Sequence, residues 1–346
     1  MNAHNGDERG LAARFLATRF EAERGRLQAI AYRMLGSSSE AEDAVQESWL
    51  RLSRALAGHA ASAPEPAPEP EPDDAPEPAS EPDAAADAAD SPIRNLPGWL
   101  TTTVSRICLD MLRTRASRRE DLVDQPTLAA AAVASPFAAE PEDEALLADA
   151  TGRALLVVLD RLSPAERVAF VLHDAFAVPF DEIAHVVDRT PQTTKKLASR
   201  ARLKVRGSAE SVATPASELA RQRRIVDRFL SAARSGDLRA IIEILAPDVV
   251  RRADQAALAP GRPLEVRGAD SVAKEIALFG QGSRVAEPAL VNGTVGILVA
   301  PRGRLHLALA ITIAAKADLI AAYDLIADPA RLASLDLTVL DVADAK

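Results

Sequence analysis

The chain has 346 residues, 48% of them hydrophobic but only 3% aromatic, a net charge of −9 and one cysteine. That length allows two or three domains, with cores built from Leu, Val, Ile and Ala rather than rings. Cys108 alone excludes an internal disulfide, no uncharged apolar run reaches the ~18 residues of a membrane span, and no signal-peptide pattern opens the chain, so a cytoplasmic location is expected.

Residues 11–55 read as helical. Leu27, Ile30, Ala31, Met34 and Leu35 recur at helical spacing. Gly36 breaks that helix and Ser37, Ser38 and Ser39 offer a cap. Glu40, Glu42 and Asp43 then fall in a first turn, where the helix dipole favours acids. The second helix runs to about Ala55 with a stripe of Ala41, Ala44, Val45, Trp49 and Leu52.

Residues 56–92 hold nine prolines, ten acids and no Lys or Arg. Such a segment buries too little apolar surface to offset its ordering entropy, so it is expected to be a disordered acidic insertion. It is read equally as a passive linker or as a segment that competes with DNA for the basic helix beyond it.

Residues 97–119 form the next predicted helix, with Pro97 in its first turn. Leu100, Val104, Ile107, Cys108, Met111 and Leu112 make its apolar stripe; Arg106, Arg113, Arg115, Arg118 and Arg119 lie on the other face. Residues 121–142 lack periodicity and read as a linker.

Residues 143–206 return to helix. Ser163-Pro164-Ala165-Glu166 is a helix start of the capping-box kind. Phe180–Val187, a turn at Asp188-Arg189 and a helix opening at Thr190-Pro191 follow helix-turn-helix grammar. Thr194, Leu197, Ala198, Ala201 and Val205 face inward, onto Ile183, Ala184 and Val187. Gln192, Thr193, Lys195, Lys196, Ser199 and Arg200 face out. Residues 189–206 carry seven basic residues and no acid. A helix fits the major groove and reads base edges from its first turns. Gln192 suits adenine, and Lys195 or Lys196 suits guanine. Arg200, Arg202 and Lys204 suit phosphates. The net negative charge does not argue against this, because the binding field is local. Two basic helical units on a flexible tether are expected to be separate bodies gripping DNA at two places.

Residues 218–346 read as an α+β domain. Helices are predicted near 218–235, 237–246 and 269–279. Strands are predicted at Val295–Ala300, Leu305–Ala314 and Leu319–Ile326, with a turn at Pro301-Arg302-Gly303-Arg304.

On these residues the chain resembles the extracytoplasmic-function sigma factors of the sigma-70 class. Glu40-Ala41-Glu42-Asp43-Ala44-Val45-Gln46-Glu47-Ser48-Trp49-Leu50-Arg51 resembles region 2.2. Pro97-Gly98-Trp99-Leu100 and Ser105–Arg113 resemble regions 2.3 and 2.4. Leu162-Ser163-Pro164-Ala165-Glu166-Arg167 and the helix-turn-helix resemble region 4. The resemblance implies a region 2 domain over 1–120, a linker over 121–142 and a region 4 domain over 143–208. It implies that Asp43, Gln46, Glu47 and Arg51 contact core RNA polymerase. It further implies that Asn95, Trp99, Arg106 and Arg113 serve the −10 element, and the 191–206 helix the −35 element, of promoter DNA. Base capture from an opened strand needs an aromatic or apolar pocket beside positive charge.

Gly236-Asp237 and Ile244-Leu245-Ala246-Pro247-Asp248-Val249 resemble the start of a SnoaL-like, cone-shaped domain related to nuclear transport factor 2. One group of these sigma factors carries such a domain as a regulator. Asp328, Pro329, Ala330, Arg331 and Leu332 are the counterpart of that group's Asn-Pro-Asp-Lys-Leu motif. The group's glycine-rich motif is replaced at 254–262, and its tryptophan-containing linker motif is missing from 121–142. Whether the tail takes a small-molecule ligand is left open.

Two rivals stand beside this reading. One is a helix-turn-helix regulator that needs no polymerase. The other is an enzyme housed in the tail, with Asp254 or His306 as general acid or base. No catalytic residue, cofactor or metal site is expected, since one Cys and five scattered His lack ligand spacing.

Overall fold

The computed structural model describes residues 2–62, 93, 95–121, 152–207, 214–279 and 285–340. The linker expected at 121–142 falls outside them except for Asp121, as do 143–151 of the expected region 4 domain and 63–92 of the insertion.

Three helices form the first unit: α1 (Asn2–Leu35), α2 (Ser38–Ser62) and α3 (Leu96–Asp121). Gly36, at φ 70°, ends α1, and Ser37 Oγ accepts from Glu40 N at 3.4 Å to open α2. Leu27, Ile30, Met34, Ala41, Ala44, Leu52, Leu100, Val104 and Cys108 are fully buried where the three meet. Helix α2 runs seven residues past its expected end, so 56–62 are helical rather than disordered. The run Leu56–Ser62 is Ala-rich and lacks proline, and the first proline is Pro64, so nothing breaks the helix earlier.

The second unit is α4 (Arg153–Leu159), α5 (Pro164–Phe170), one π-helical turn (Val171–Ala175), α6 (Phe180–Val187) and α7 (Pro191–Arg206). All seven residues of α4 are buried.

The third unit has α8 (Ala216–Ser235), α9 (Leu238–Ile244), α10 (Ala269–Phe279) and α11 (Pro329–Ser334). Its sheet contains β1 (Leu245–Ala253), β2 (Glu265–Arg267), β3 (Ala286–Val291), β4 (Thr294–Val299), β5 (Leu307–Ile313), β6 (Ile320–Ile326) and β7 (Leu337–Thr338). The strand order is β2-β1-β6-β5-β4-β3-β7, and only β1 and β6 are parallel. The expected α+β class is therefore found, with one correction. The helix predicted to reach 246 stops at Ile244, and Leu245–Ala253 is a strand. Pro247 disfavours helix at Ala246, and the β1–β6 register shifts between Leu245 and Val250.

The sheet is covered on both faces. Val295, Ile297, Val299, Leu309, Ile311 and Tyr323 pack into a core with Ile225, Phe229 and Leu230 of α8. Leu298, Ala300, Ala308 and Ile326 join a second cluster that continues into α4–α7 and on into α1–α3. Burial on two faces explains why β4 is almost continuously apolar instead of alternating. It also corrects the expectation of separate bodies: one apolar cluster runs through all three units.

Inside the third unit Arg251 of β1 is 1% exposed and forms a two-pronged ion pair with Glu275 of α10, at 2.7–3.1 Å. Its Nη1 donates to Pro263 O at 2.8 Å. Removing one partner of a buried pair leaves a desolvated charge, at a cost of about 3–5 kcal/mol. Glu275→Ala is therefore expected to lower the unfolding free energy by that order in calorimetry. The double replacement Arg251→Met with Glu275→Leu is expected to recover most of it.

Candidate nucleic-acid interface

Local chemistry builds the helix-turn-helix. Ser163 Oγ accepts from Glu166 N, and Glu166 Oε2 accepts from Ser163 N at 3.0 Å, which is the reciprocal cap expected from the sequence. The π-turn leads into a bend where Val178 N donates to Leu172 O at 2.9 Å. There the His173 ring stacks on Phe180 with centroids 3.9 Å apart. Asp188 takes the left-handed conformation, φ 56°, that ends α6. Thr190 Oγ1 accepts from Thr193 N at 3.2 Å and opens α7, with Pro191 next.

Thr194, Ala198, Ala201 and Val205 are buried and Leu197 is half-buried. The other side of α7 is exposed: Gln192, Thr193, Lys195, Lys196, Ser199 and Arg200. Lys195, Lys196 and Arg200 have no ion pair among the described residues. Arg202 and Lys204 differ. Arg202 Nε donates to Asp174 Oδ1 at 2.6 Å, and Lys204 Nζ to Glu166 Oε2 at 2.8 Å. These two expected phosphate contacts tie α7 to the rest of its own unit, because α7 lies along α5 with its last turns over the capping box.

The residues expected to serve the −10 element are divided. Asn95 Oδ1 accepts from Gly98 N at 3.1 Å and so caps α3. A Cβ on Gly98 would lie 2.5 Å from the Asn95 amide nitrogen, so a side chain there would have to displace the capping amide. Trp99 is half-buried against the core. Arg113 is exposed, 3.7 Å from Asp110. Arg106 is turned toward α6 and donates from Nη2 to His185 O at 2.8 Å.

On α2, Asp43, Gln46 and Arg51 are exposed and Glu47 is half-exposed. Arg51 Nε and Glu47 Oε1 are 3.0 Å apart. Gln46 also lines a groove of about 280 Å³ between α1 and α2, with Phe20, Trp49 and Leu50. Leu50 at 47% and Phe15 at 63% are among the exposed large apolar side chains.

The Asp328–Leu332 motif lies where the third unit meets the second. Asp328 caps α11 by accepting from Arg331 N at 2.9 Å, and Pro329 follows it. Arg161, between α4 and α5, donates to Leu332 O at 2.7 Å and also to Leu335 O. Sequence reasoning missed Arg161, because its partners are backbone carbonyls that no residue pattern announces. Asp254 accepts from Ala257 N, Ala327 N and Asp328 N at 2.9–3.0 Å, and from Arg331 at 3.5 Å. Its carboxylate is thus engaged in anchoring β1 to the end of β6. Burial holds the His306 imidazole below its ordinary value.

Glu166 is a carboxylate held by several bonds at the base of the helix-turn-helix. Burial alone would raise its carboxyl. Bonds from Lys204 and from the amide and hydroxyl of Ser163, with the Lys204 charge, outweigh that and hold it below the usual range. A depressed folded-state value stabilises the fold above the ordinary glutamate range, and the gain is lost as pH falls through the depressed value. Glu166→Gln should therefore be less stable than wild type at neutral pH. In acid titrations followed by circular dichroism, the gap should close as wild-type Glu166 is protonated.

Two sigma-70 families match the chain: region 2 over residues 19–62 and region 4 over residues 152–205. The chain is 35% identical to the ECF RNA polymerase sigma factor SigJ of Mycobacterium tuberculosis over 290 residues, 81% of this chain and 80% of that protein. It is 34% identical to the probable ECF RNA polymerase sigma factor SigI of the same organism, over 68% of each. A crystal structure of Mycobacterium tuberculosis SigJ matches with 30% identity and a TM-score of 0.39, covering 92% of this chain and 98% of that one.

Proposed function

The chain belongs to the extracytoplasmic-function sigma factors of the sigma-70 class, and from that premise we propose how its parts divide the work of promoter-directed initiation. The unit formed by α4–α7 binds the −35 element through the outer face of α7. The observation that carries this is the separation of charge on α7. Arg202 and Lys204 are neutralised inside the unit, while Lys195, Lys196 and Arg200 stand exposed beside Gln192, Thr193 and Ser199. Side chains on the first turns suit base edges, and the cations suit phosphates.

Helix α3 and the Asn95 turn serve the −10 element, with Trp99 and Arg113 beside the captured base. Helix α2 docks on core polymerase through Asp43, Gln46, Glu47, Arg51 and the apolar groove that Gln46 lines. This docking separates the reading from a helix-turn-helix regulator that works without polymerase. The third unit regulates through Asp328, Pro329, Arg331 and Leu332, which shape the carbonyl-bearing end of α11 that Arg161 grips. The site of action is the cytoplasm, where transcription takes place. No catalytic step is assigned.

Run-off transcription with core polymerase on a library of random promoter fragments tests the reading and yields the preferred −10 and −35 sequences. Lys195→Ala with Lys196→Ala should weaken binding to the selected −35 duplex across all sequences. It should flatten the dependence of log K on log salt by about 2, since each phosphate contact contributes roughly 0.9. Gln192→Ala should instead relax discrimination at one base pair, by about 1–3 kcal/mol. Unchanged salt dependence in the double lysine variant would remove α7 from the interface.

A further inference from the structure

We propose that Thr190, the cap of α7, fixes the hydroxyl of Thr193 as a hydrogen-bond donor, so that one position of the −35 element favours a keto base over an amino base. The proposal rests on the assignment of α7 to the −35 element made above. It adds to that assignment a positioning residue and a rule of specificity.

A threonine hydroxyl is both donor and acceptor, and one free to rotate reads either kind of base edge. It discriminates only when something sets its polarity. At the start of α7 the cap sets it. Thr190 Oγ1 accepts from Thr193 N at 3.2 Å and lies 2.9 Å from Thr193 Oγ1. The first bond gives the direction of the second. An oxygen that accepts from an amide is polarised into a better donor, and bonds in a chain strengthen one another when they run the same way. The proton between the two hydroxyls is therefore that of Thr190. The chain runs from the Thr193 amide through Thr190 Oγ1 to Thr193 Oγ1, and the Thr193 proton points away from Thr190. Thr193 is exposed on the outer face of α7.

The surroundings hold this pair in place. Arg189 N donates to Ala184 O at 3.1 Å, Thr190 is extended at φ −73° and ψ 153°, and Pro191 locks the next φ. Both threonines are β-branched and so restricted at χ1. Thr194 Oγ1 donates back to Thr190 O at 3.0 Å, and Thr194 is buried. Of the three hydroxyl protons in Thr190, Thr193 and Thr194, two are thus bound within the turn and that of Thr193 remains for a partner.

A recognition helix meets base edges through its N-terminal residues. In the major groove guanine O6 and thymine O4 accept, whereas cytosine N4 and adenine N6 donate. A fixed donor at Thr193 bonds the keto oxygens and meets the amino groups proton against proton. Lys195 and Lys196 are donors by nature. Thr193 becomes one only through Thr190.

The test measures binding of the full chain to the selected −35 duplex with each base pair replaced in turn. Wild type should prefer guanine or thymine over cytosine or adenine at one position by about fivefold, the yield of one hydrogen bond. Thr193→Val keeps the shape without the hydroxyl and should abolish the preference at that base pair alone. Thr190→Ser keeps the hydroxyl and should keep the preference. Thr190→Asp remains a good cap but only accepts, so it takes the Thr193 proton and leaves the Thr193 lone pairs for the base. The preference should then reverse to the amino base. The added negative charge weakens every sequence alike and cancels in the ratio. A cap with a merely structural role would be served by aspartate as well as by threonine, and no reversal would follow. A keto preference that survives in Thr193→Val, or that fails to reverse in Thr190→Asp, overturns the proposal. Lys195→Ala with Lys196→Ala keeps the two failures apart. If that variant still loses affinity and salt dependence, α7 holds the −35 duplex and the polarity rule alone has failed. If it does not, the assignment of α7 falls too.

Discussion

The packing of one short helix holds the rest of the molecule together. Helix α4, Arg-Ala-Leu-Leu-Val-Val-Leu from Arg153 to Leu159, has no solvent face. It touches α1, α7, β3, β7 and the Pro301–Gly303 turn. Seven residues are too few to hold a helix alone in water, so its neighbours create it. Its N-terminus is closed by another unit: Glu287 of β3 accepts from Ala154 N at 2.9 Å, where the helix dipole favours a carboxylate. The Pro301–Gly303 turn presses close enough that a Cβ on Gly303 would meet Leu156 Cδ1 at 2.7 Å. A helix apolar on every side must be enclosed, and enclosing it brings three units into one apolar cluster.

Charge is arranged on that scaffold by pairing, more than by total. The chain is net negative at −9, yet the exposed side of α7 carries no acid at all. Asp174 and Glu166 neutralise Arg202 and Lys204 of its later turns, and those bonds set how α7 lies on its unit. Lys195, Lys196 and Arg200 point outward from the first three turns, and Arg206 is exposed in the last. Buried charge elsewhere is matched in the same way, by Arg251 with Glu275 and by Arg167 with Asp160. Cys108 lies in the same packed region, and burial pushes its thiol up to about 12, so it behaves as a small apolar group.

Much of this was legible in the sequence wherever a local rule governs. The caps at Ser163 and Thr190, the break at Gly36, the helix at Ala269–Phe279 and the inward positions Thr194, Ala198, Ala201 and Val205 all follow from capping chemistry and spacing. Strands β1 and β3 were not legible. Each contains a proline, Pro247 or Pro288, that argues against a central strand. Pro288 faces Ile297 of β4, and it is tolerated because β7 pairs with β3 only at Leu290 and Val291, leaving the proline's other edge unpaired. Least legible were the contacts between units. Arg106 and Arg161 each bond to backbone carbonyls, and a carbonyl leaves no mark in a residue pattern. Spacing places Arg106 on the outward face of α3, and the partner on that side is α6.

The two joints of the second unit differ in kind, and the difference orders their strengths. Toward the third unit, Arg161 bonds twice, Glu287 caps α4, Val339 N donates to Val205 O at 3.0 Å, and Leu332, Leu335 and Leu337 are buried. Toward the first unit the joint includes a cation over Phe176, a bond from Arg106 to His185 O and one from Arg167 to Arg33 O. Among the described residues the joint with the third unit thus carries more direct hydrogen bonds between units than the seam over α3, beside buried apolar contacts worth about 25 cal/mol for each Å² removed from water. The helix-turn-helix and the sheet domain are the more firmly joined pair.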